Sequence, residues 1–157
     1  MPIPVQDPVS GREPGRGDGS ALDALADFYR AFNERDIAAL EQNWAPGDLP
    51  SMDNPIGGIR RGWEEIRAGY QRLFDGPARV EVEFFDYTHQ EGADWALFVG
   101  RERGNCSSGE SRLCLAIRTT RWFVRVDGAW RQLHHHGSIE RGELLADYQR
   151  IIFGAPL

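Results

Sequence analysis

The dipeptide Asp127-Gly128 constrains the fold of this chain more than any other feature, because two long runs of apolar, β-branched and aromatic residues flank it. A tight hairpin turn of the primed type needs residues that tolerate a positive φ, and Asp-Gly is one of the strongest sequence signals for it. The flanking runs extend over residues 112–126 and 129–140. The sequence therefore predicts a long antiparallel hairpin.

The side chains of this hairpin alternate between two faces, because successive residues of a strand point to opposite sides. On the first arm Arg121 and Phe123 share a face; on the second arm His134 and His136 share a face and His135 points the other way. Both faces mix Arg, His and Trp with apolar residues. We therefore expect a strand pair that is covered on both sides or lines a cavity.

Length and composition indicate one globular domain, since the chain has 157 residues of which 41% are apolar. The formal net charge of −6 argues against nucleic-acid binding, which depends on clustered positive charge. Two cysteines are too few for a disulfide framework. The sequence offers no apolar run long enough to cross a bilayer and no signal-peptide pattern. We expect a cytoplasmic protein that binds neither nucleic acid nor membranes.

The chain before the hairpin predicts a flexible arm followed by helices. Residues 1–20 are rich in proline and glycine and hold almost no large apolar side chains, which predicts a mobile arm ahead of a domain over residues 21–157. Apolar residues recur at helical spacing behind two candidate N-caps, Ser20 and Asp36, and again behind Gly62. The sequence therefore predicts three helices in the first half of the domain.

Alternating patterns after Pro77 predict strands over residues 79–89 and 93–103, then a polar loop over residues 105–110, and a short terminal helix near residues 144–152. Helices followed by long strands with short turns are typical of an α+β fold. We predict a curved antiparallel sheet packed against the helices, forming a cone with an internal pocket. Functional sites concentrate in such concavities.

The segment from Trp130 to Ser138, with its His134-x-His136 step, resembles the closing strand of the SnoaL-like, nuclear transport factor 2-like superfamily. Residues 120–128 resemble the association domain of calcium/calmodulin-dependent protein kinase II, and residues 53–74 resemble a ketosteroid isomerase pattern. The resemblance covers nearly the whole chain beyond residue 20. It implies a cystatin-like α+β barrel, without a cofactor, of the kind found in isomerases, polyketide cyclases, dehydratases, epoxide hydrolases and non-catalytic modules.

Two registers of the isomerase pattern place different residues at the position of the catalytic base. Counting back from Gly62 puts Asp53 there, and a carboxylate in a partly dry site can remove a proton next to a carbonyl. Matching the Asp-Pro step puts Asn54 there, and an amide cannot act as a base. Either residue could instead satisfy backbone donors in the turn before the helix. The sequence leaves these alternatives open.

His134 and His136 would lie roughly 7 Å apart on one strand, from about 3.4 Å of rise per residue. They suit a catalytic or ligand-contacting pair, two metal ligands, or core residues bonded to a neighbouring element. A third ligand is not close in sequence, with Asp53 and His89 as distant candidates. Because a metal site needs more than two protein ligands, we predict no metal.

Two arginines are candidate ligand-binding residues by the resemblance to the kinase association domain. That resemblance implies that Arg101 and Arg121 line the cavity and receive a carboxylate or another anion, which suits a guanidinium group. Alternatively, they form exposed or interface ion pairs with nearby glutamates. An arginine opposite Asp53 would lower the pKa of that acid and weaken it as a base.

Two classes of function follow from these residues. The first is an isomerase, cyclase or dehydratase acting by acid/base chemistry on an apolar carbonyl compound, with Asp53 as base and His134 or His136 as proton partner. Tyr29 or Tyr70 would then donate a hydrogen bond to the developing oxyanion. The second is a non-catalytic ligand-binding or association module that holds a carboxylate-bearing molecule. The further candidate ligand-binding residues are Asn54 and three aromatic residues predicted as core or pocket wall, Trp63, Trp95 and Phe123.

The other face of the predicted sheet is a candidate interface. Trp122 would stand there among polar residues, with His135 on the same side. A large aromatic side chain on a sheet surface has a reason to be covered by a partner. We therefore expect a homodimer formed through the sheet face.

Overall fold

The computed structural model describes residues 1–14 and 17–155. In chain order the elements are α1 (Ala21–Glu34), α2 (Ile37–Asn43), β1 (Ser51–Asp53), β2 (Ile59–Arg61), α3 (Trp63–Asp75), β3 (Arg79–Glu91), β4 (Trp95–Ser108), β5 (Ser111–Val126), β6 (Ala129–Ile139) and α4 (Gly142–Phe153). The strands form one sheet in the order β2-β1-β6-β5-β4-β3. The predicted α+β fold is confirmed; the sheet is curved and does not close into a barrel.

The helices begin where the sequence predicts N-caps. The Ser20 hydroxyl accepts a hydrogen bond from the Asp23 N–H at 3.1 Å, and the Asp36 carboxylate accepts one from the Ala39 N–H at 2.9 Å. These side chains satisfy backbone donors that the first helical turn leaves free. The apolar stripe of α1 then faces the sheet, with Leu25 fully buried. None of the helices in the described parts of the chain is long and apolar enough to span a membrane.

The predicted hairpin is formed by β5 and β6. Asp127 and Gly128 have φ values of 50° and 81°, as a primed turn requires, and Val126 pairs with Ala129 across it. Further along, the register shifts: Phe123 pairs with Gln132, whereas Trp122 pairs with His134. Leu133 is therefore an extra residue in β6, the arrangement of a β-bulge.

The predicted loop over residues 105–110 was wrong, because β4 continues to Ser108 and only Gly109 and Glu110 turn the chain. Gly104 lets the β3 and β4 backbones approach closely: a Cβ atom there would lie 1.9 Å from the Glu81 carbonyl oxygen. The short strand β2 was not predicted separately. It pairs antiparallel with β1, whereas β1 runs parallel to β6.

The N-terminal arm lies along β3, the last strand of the sheet. Val5 exchanges backbone hydrogen bonds with Tyr87, and Val9 does so with Phe84 at 2.7 and 2.9 Å. Val9 is also buried. Residues 15 and 16 of the arm lie outside the described residues. The flexibility predicted for residues 1–20 concerns motion in solution and stays a prediction.

Candidate functional site

A cavity of about 360 Å³ lies between the inner face of the sheet and helices α1, α3 and α4. Most of its lining is apolar, and includes Phe28, Phe32, Met52, Leu73, Val82 and Ile117. Arg72 and Phe153 also line it and are exposed, so they mark its solvent side. Cavities of about 300–1,000 Å³ with apolar walls and a few polar groups are typical of small-molecule sites.

A buried polar cluster, made of Tyr29, Glu102, Arg121 and Gln132, borders this cavity. The Arg121 guanidinium donates to the Tyr29 hydroxyl at 2.9 Å, to Gln132 Oε1 at 2.6 Å and to Glu102 Oε1 at 2.8 Å. The Tyr29 hydroxyl donates to the same Glu102 oxygen at 2.6 Å. Arg121 also lies over the Phe28 ring, 3.6 Å from its centroid. The positive charge of Arg121 is therefore matched by Glu102 inside the protein.

Strand alternation brings these side chains inside. On β5, Ile117, Arg121 and Phe123 point to the core, as predicted, and each is at most 2% exposed. On β4, Glu102 shares the inward face with Ala96 and Phe98 and is 4% exposed. A buried ion pair persists only when hydrogen bonds satisfy the remaining polar atoms, which is what Tyr29 and Gln132 provide.

The titration of the cluster follows from its burial. Burial raises the pKa of Tyr29 well above its usual range, and the charge of Glu102 raises it further, so Tyr29 stays a neutral donor. Burial likewise raises the pKa of Tyr70. For Arg121, burial alone would lower the pKa, but Tyr29 and Glu102 outweigh it and the pKa is raised. Arg121 therefore remains a cation.

His135 is a polar residue of the cavity wall whose two ring nitrogens are both buried, and Arg60, also in the wall, has one buried nitrogen without a partner, Nε. It lies on β6 between Arg121 of β5 and Met52 of β1, its partners in register, and is 5% exposed. Neither ring nitrogen has a hydrogen-bond partner among the described residues. Burial lowers the pKa of His135 well below its usual value, and the Arg121 charge lowers it further. The cavity therefore faces a neutral imidazole with one free donor and one free acceptor.

The bulge at Leu133 explains why His135 points inward. Before it, Trp130 and Gln132 are buried on the inner face; after it, the alternation is reversed, so His135 is buried and His136 is exposed. The predicted orientation of the three histidines was wrong for this reason. A slip of one residue transfers every following side chain to the opposite face.

His134 and His136 lie on the outer face of the sheet together with Asp53, and we call these three residues the outer cluster. His136 Nδ1 is 3.0 Å from Asp53 Oδ2, and His134 Nδ1 is 2.8 Å from the Ser51 hydroxyl. None of the three is among the described residues that line the cavity. Asp53, one of the two distant candidates for a third ligand, is brought beside the histidines because β1 runs along β6 and places Asp53 opposite His136.

Asn54, not Asp53, faces the cavity. It stands before Pro55, at the position where the isomerase pattern has the aspartate of its Asp-Pro step. Its Oδ1 accepts a hydrogen bond from the Ile56 N–H at 3.0 Å, which fixes the turn after β1. Pro55 then lies against Gly137 of β6, where a Cβ atom would come within 2.9 Å of the proline ring. Of the two registers left open by the sequence, the geometry favours the one that places an amide at the cavity.

The remaining predicted site residues divide between cavity, core and surface. Tyr70 lines the cavity, as does Arg121. Arg101, predicted to line the cavity too, lies outside it: its Nε donates to Asp86 at 3.0 Å and its Nη1 to Glu140. Arg101 points outward because side chains alternate along β4: the odd-numbered residues of this part of the strand face outward, and Glu102 faces inward.

The three aromatic residues predicted as pocket wall are not among the described lining residues. Trp63 is buried, and its indole N–H donates to Glu41 at 3.2 Å. Phe123 packs edge-on against Phe98 in the core, and Trp95 is 39% exposed at the end of β4. Trp63 and Phe123 therefore belong to the core and Trp95 to the surface, whereas other aromatic residues, such as Phe28 and Tyr70, line the cavity.

Glu102, Tyr148 and His135 are among the cavity residues that were not predicted as site residues. Glu102 could have been found from strand alternation, because it shares a face with Phe98 and Cys106. Tyr148 of α4 lies on the apolar stripe of the terminal helix, and burial raises its pKa. His135 could not have been found this way, since its orientation depends on the bulge.

The comparison with protein families decides the relationship of this chain. A family model described as the SnoaL-like domain matches residues 21–141. The chain belongs to the SnoaL-like family. No curated protein matches it. The SnoaL-like domain therefore includes every strand and the first three helices, and the match stops just before α4.

Solved structures share the fold of this SnoaL-like domain at low identity. A ketosteroid isomerase-like protein from Erwinia carotovora atroseptica is 20% identical, with 75% of this chain and 92% of that chain covered and a TM-score of 0.63. A protein from Thiobacillus denitrificans, provisionally named a calcium/calmodulin-dependent protein kinase type II association domain, is 22% identical, with 78% and 96% covered and a TM-score of 0.66. A Caulobacter vibrioides protein with a cystatin-like fold is 18% identical, with 88% and 99% covered and a TM-score of 0.64.

Proposed function

We propose that this SnoaL-like domain binds a small, mostly apolar molecule that carries a carbonyl or hydroxyl group, and that His135 is the hydrogen-bond partner of that group. The observation that carries the proposal is the buried imidazole with two unpartnered nitrogens at the cavity wall. A buried polar group without a partner costs about 1–3 kcal/mol. A ligand oxygen in the cavity would remove that cost, whether it accepts from the ring or donates to it.

The arrangement supports ligand binding rather than catalysis with Asp53, the residue predicted as the base. Asn54 occupies the position of the aspartate in the Asp-Pro step of the isomerase pattern and cannot remove a proton, while Asp53 lies on the outer face. His135 is a poor base, because burial and the Arg121 charge disfavour its cationic form. A neutral imidazole instead serves as a donor that orients a carbonyl group.

The charge balance favours a neutral ligand head group near His135. Of the three arginines that line the cavity, Arg121 is already bonded to Glu102, so a carboxylate placed at Arg121 would meet a matched ion pair rather than a free cation. It would also lie close to the Glu102 carboxylate, which repels it. The apolar lining suits the rest of the molecule, and burial of apolar surface supplies most of the affinity.

Ligand class is tested with three probes of the same ring system: 2-acetylnaphthalene, 2-naphthol and 2-naphthoate. We expect the ketone and the naphthol to bind the wild type in calorimetric titrations and to raise its melting temperature. His135→Phe should weaken both by roughly tenfold or more, since about 1–3 kcal/mol of hydrogen bonding is lost. His136→Ala, on the outer face, is the matched control and should bind like the wild type.

Two results would contradict this proposal. Stronger binding of the naphthoate than of the ketone would indicate an anion site built around arginine. Equal ketone and naphthol affinities in wild type and His135→Phe would show that the imidazole contacts neither probe.

A second candidate function is supported by Glu102, the one carboxylate among the described residues that line the cavity. In this case the domain is an isomerase-type enzyme in which Glu102 removes a proton next to a carbonyl and His135 or Tyr70 stabilises the oxyanion. Deuterium uptake from D₂O into the methyl group of bound 2-acetylnaphthalene, followed by NMR, measures this step. Uptake that disappears in Glu102→Gln while ketone binding persists would favour the enzyme; no uptake above the buffer rate would favour the binding protein.

We also propose that the outer face of the sheet pairs with a second copy of the chain. Trp122 and Val99 stand on that face and are 41% and 45% exposed. We expect light scattering coupled to size exclusion to give twice the chain mass for the wild type, and the chain mass for Trp122→Glu. Leu49→Glu, at an exposed position in the loop before β1, is the control. A monomeric wild type would refute the dimer.

A further inference from the structure

We propose that Asp53, His134 and His136 bind one divalent transition-metal ion on the outer face of the sheet, separate from the cavity. Two imidazole nitrogens and one carboxylate oxygen are a donor set that suits Zn²⁺ and its neighbours in the first transition row. Three protein ligands leave further coordination positions to water or, because Trp122 lies opposite His134, to a group of the second copy proposed to cover this face. The site is independent of the ligand proposed for the cavity, because its residues point to the opposite face of β1 and β6.

The spacing of the donor atoms fits a metal. One ligand atom from each residue of the outer cluster lies within 4.8 Å of the other two. The 3.0 Å between His136 Nδ1 and Asp53 Oδ2 is the separation of two ligands at right angles about 2.1 Å from a metal. The ligand atom of His134 has to move by on the order of 1–2 Å, through a rotation of the side chain, to complete the set at such bond lengths.

The backbone holds the three residues together. β1 and β6 pair in parallel with Ser51 opposite His134 and Asp53 opposite His136. Residues two apart on one strand share a face, so both histidines and the aspartate project to the same side. A site built on two paired strands needs little reorganisation of the main chain when an ion binds.

Ser51 acts as a positioning residue for this site. Its hydroxyl is 2.8 Å from His134 Nδ1, so Nε2 of that ring is left as the ligand atom. Metal-binding histidines almost always use their other ring nitrogen for such a hydrogen bond, which fixes the orientation of the ring. The hydrogen bond between Ser51 and His134 therefore orients the ring as a metal ligand and does not compete with the ion for the same nitrogen.

The folded structure distinguishes this site from the non-specific metal binding that any run of three histidines can show. The bulge turns His135 into the cavity, so the folded chain offers His134 and His136 to the ion and withholds the residue between them. His89 on β3 provides a comparison, because it pairs with Glu91 at 2.9 Å but belongs to no described three-ligand group. A site made by the fold therefore uses only two of the four histidines, His134 and His136, whereas a flexible histidine tract would bind metal through any of its members.

The test is a calorimetric titration of the folded protein with Zn²⁺, supported by the visible spectrum of the Co²⁺ form. We expect one ion per chain, and a loss of affinity of at least about tenfold in His136→Ala and in Asp53→Asn. Ser51→Ala should weaken binding by about 10–100-fold, as is typical when the partner of a metal-bound histidine is removed. His135→Phe and His89→Ala should bind Zn²⁺ like the wild type.

Circular dichroism and naphthol binding check that each outer-cluster variant is folded. Three results would overturn the proposal: no saturable Zn²⁺ binding by the wild type, equal affinity in wild type and His136→Ala, or a loss of affinity in His135→Phe as large as in His136→Ala. The last result would identify binding by the histidine run itself. Failure here leaves the cavity proposal untouched, because the ketone and naphthol titrations are measured separately.

Discussion

Replacing Arg121 with methionine is expected to lower the free energy of unfolding by about 3–5 kcal/mol, because it leaves the Glu102 carboxylate buried without its cation. Arg121 is 2% exposed and Glu102 is 4% exposed, so water cannot replace the lost partner. Only the Tyr29 hydrogen bond would remain of the contacts described for Glu102. Urea unfolding followed by tryptophan fluorescence measures the loss.

The double variant Arg121→Met, Glu102→Gln is expected to regain most of that stability, since the uncompensated charge is gone. The matched control is the surface pair Arg103–Glu83, whose nitrogen and oxygen are 2.7 Å apart but whose side chains are 53% and 32% exposed. Arg103→Met should cost at most about 1 kcal/mol, as exposed pairs do. Purely additive costs in the Arg121 and Glu102 variants would show that the two side chains do not depend on each other.

The second large effect is a loss of stability in mild acid caused by His135. Its pKa is lowered well below the usual value in the folded state, whereas in the unfolded chain it is about 6.5. Below that pH the unfolded state binds a proton that the folded state does not, so the free energy of unfolding falls as the pH falls. The slope approaches about 1.4 kcal/mol per pH unit below pH 6.5, for as long as His135 stays unprotonated in the folded state.

Urea unfolding of wild type and His135→Phe at several pH values tests this dependence. The difference between the two free energies isolates the histidine, because acidic groups titrate in both proteins. Parallel profiles for wild type and His135→Phe would show that the buried imidazole takes up its proton as easily in the folded state as in the unfolded one.

The sequence predicts those parts of this molecule that depend on local patterns. The Asp127-Gly128 turn and the caps at Ser20 and Asp36 depend on neighbouring residues, and each was found. Period-two alternation also puts Arg121 and Phe123 on one face of β5 correctly, but the inward position of Arg121 was implied by the family resemblance and not by the alternation. Local chemistry and strand periodicity therefore suffice for the fold class and for the faces of β5.

The rest of the site depends on contacts between distant segments. His136 and Asp53 are 83 residues apart, and only the parallel pairing of β1 with β6 brings them together. The bulge at Leu133 has no signature in the local sequence, since the residues around it suit a regular strand equally well. It results from pairing with β5 on one side and with β1 on the other, which no single segment encodes.

The extra residue at Leu133 also bears on how such chains diverge. A relative that kept all three histidines but paired β6 with β5 regularly, without the bulge, would send two imidazoles into the interior and leave one outside. Its interior would become strongly polar and its exterior would lose the paired donors, although an alignment would still score the motif as retained. A change of pairing register in β6 thus exchanges the chemistry of the two faces at a single step, and related sequences can differ in ligand while appearing to share the same histidines.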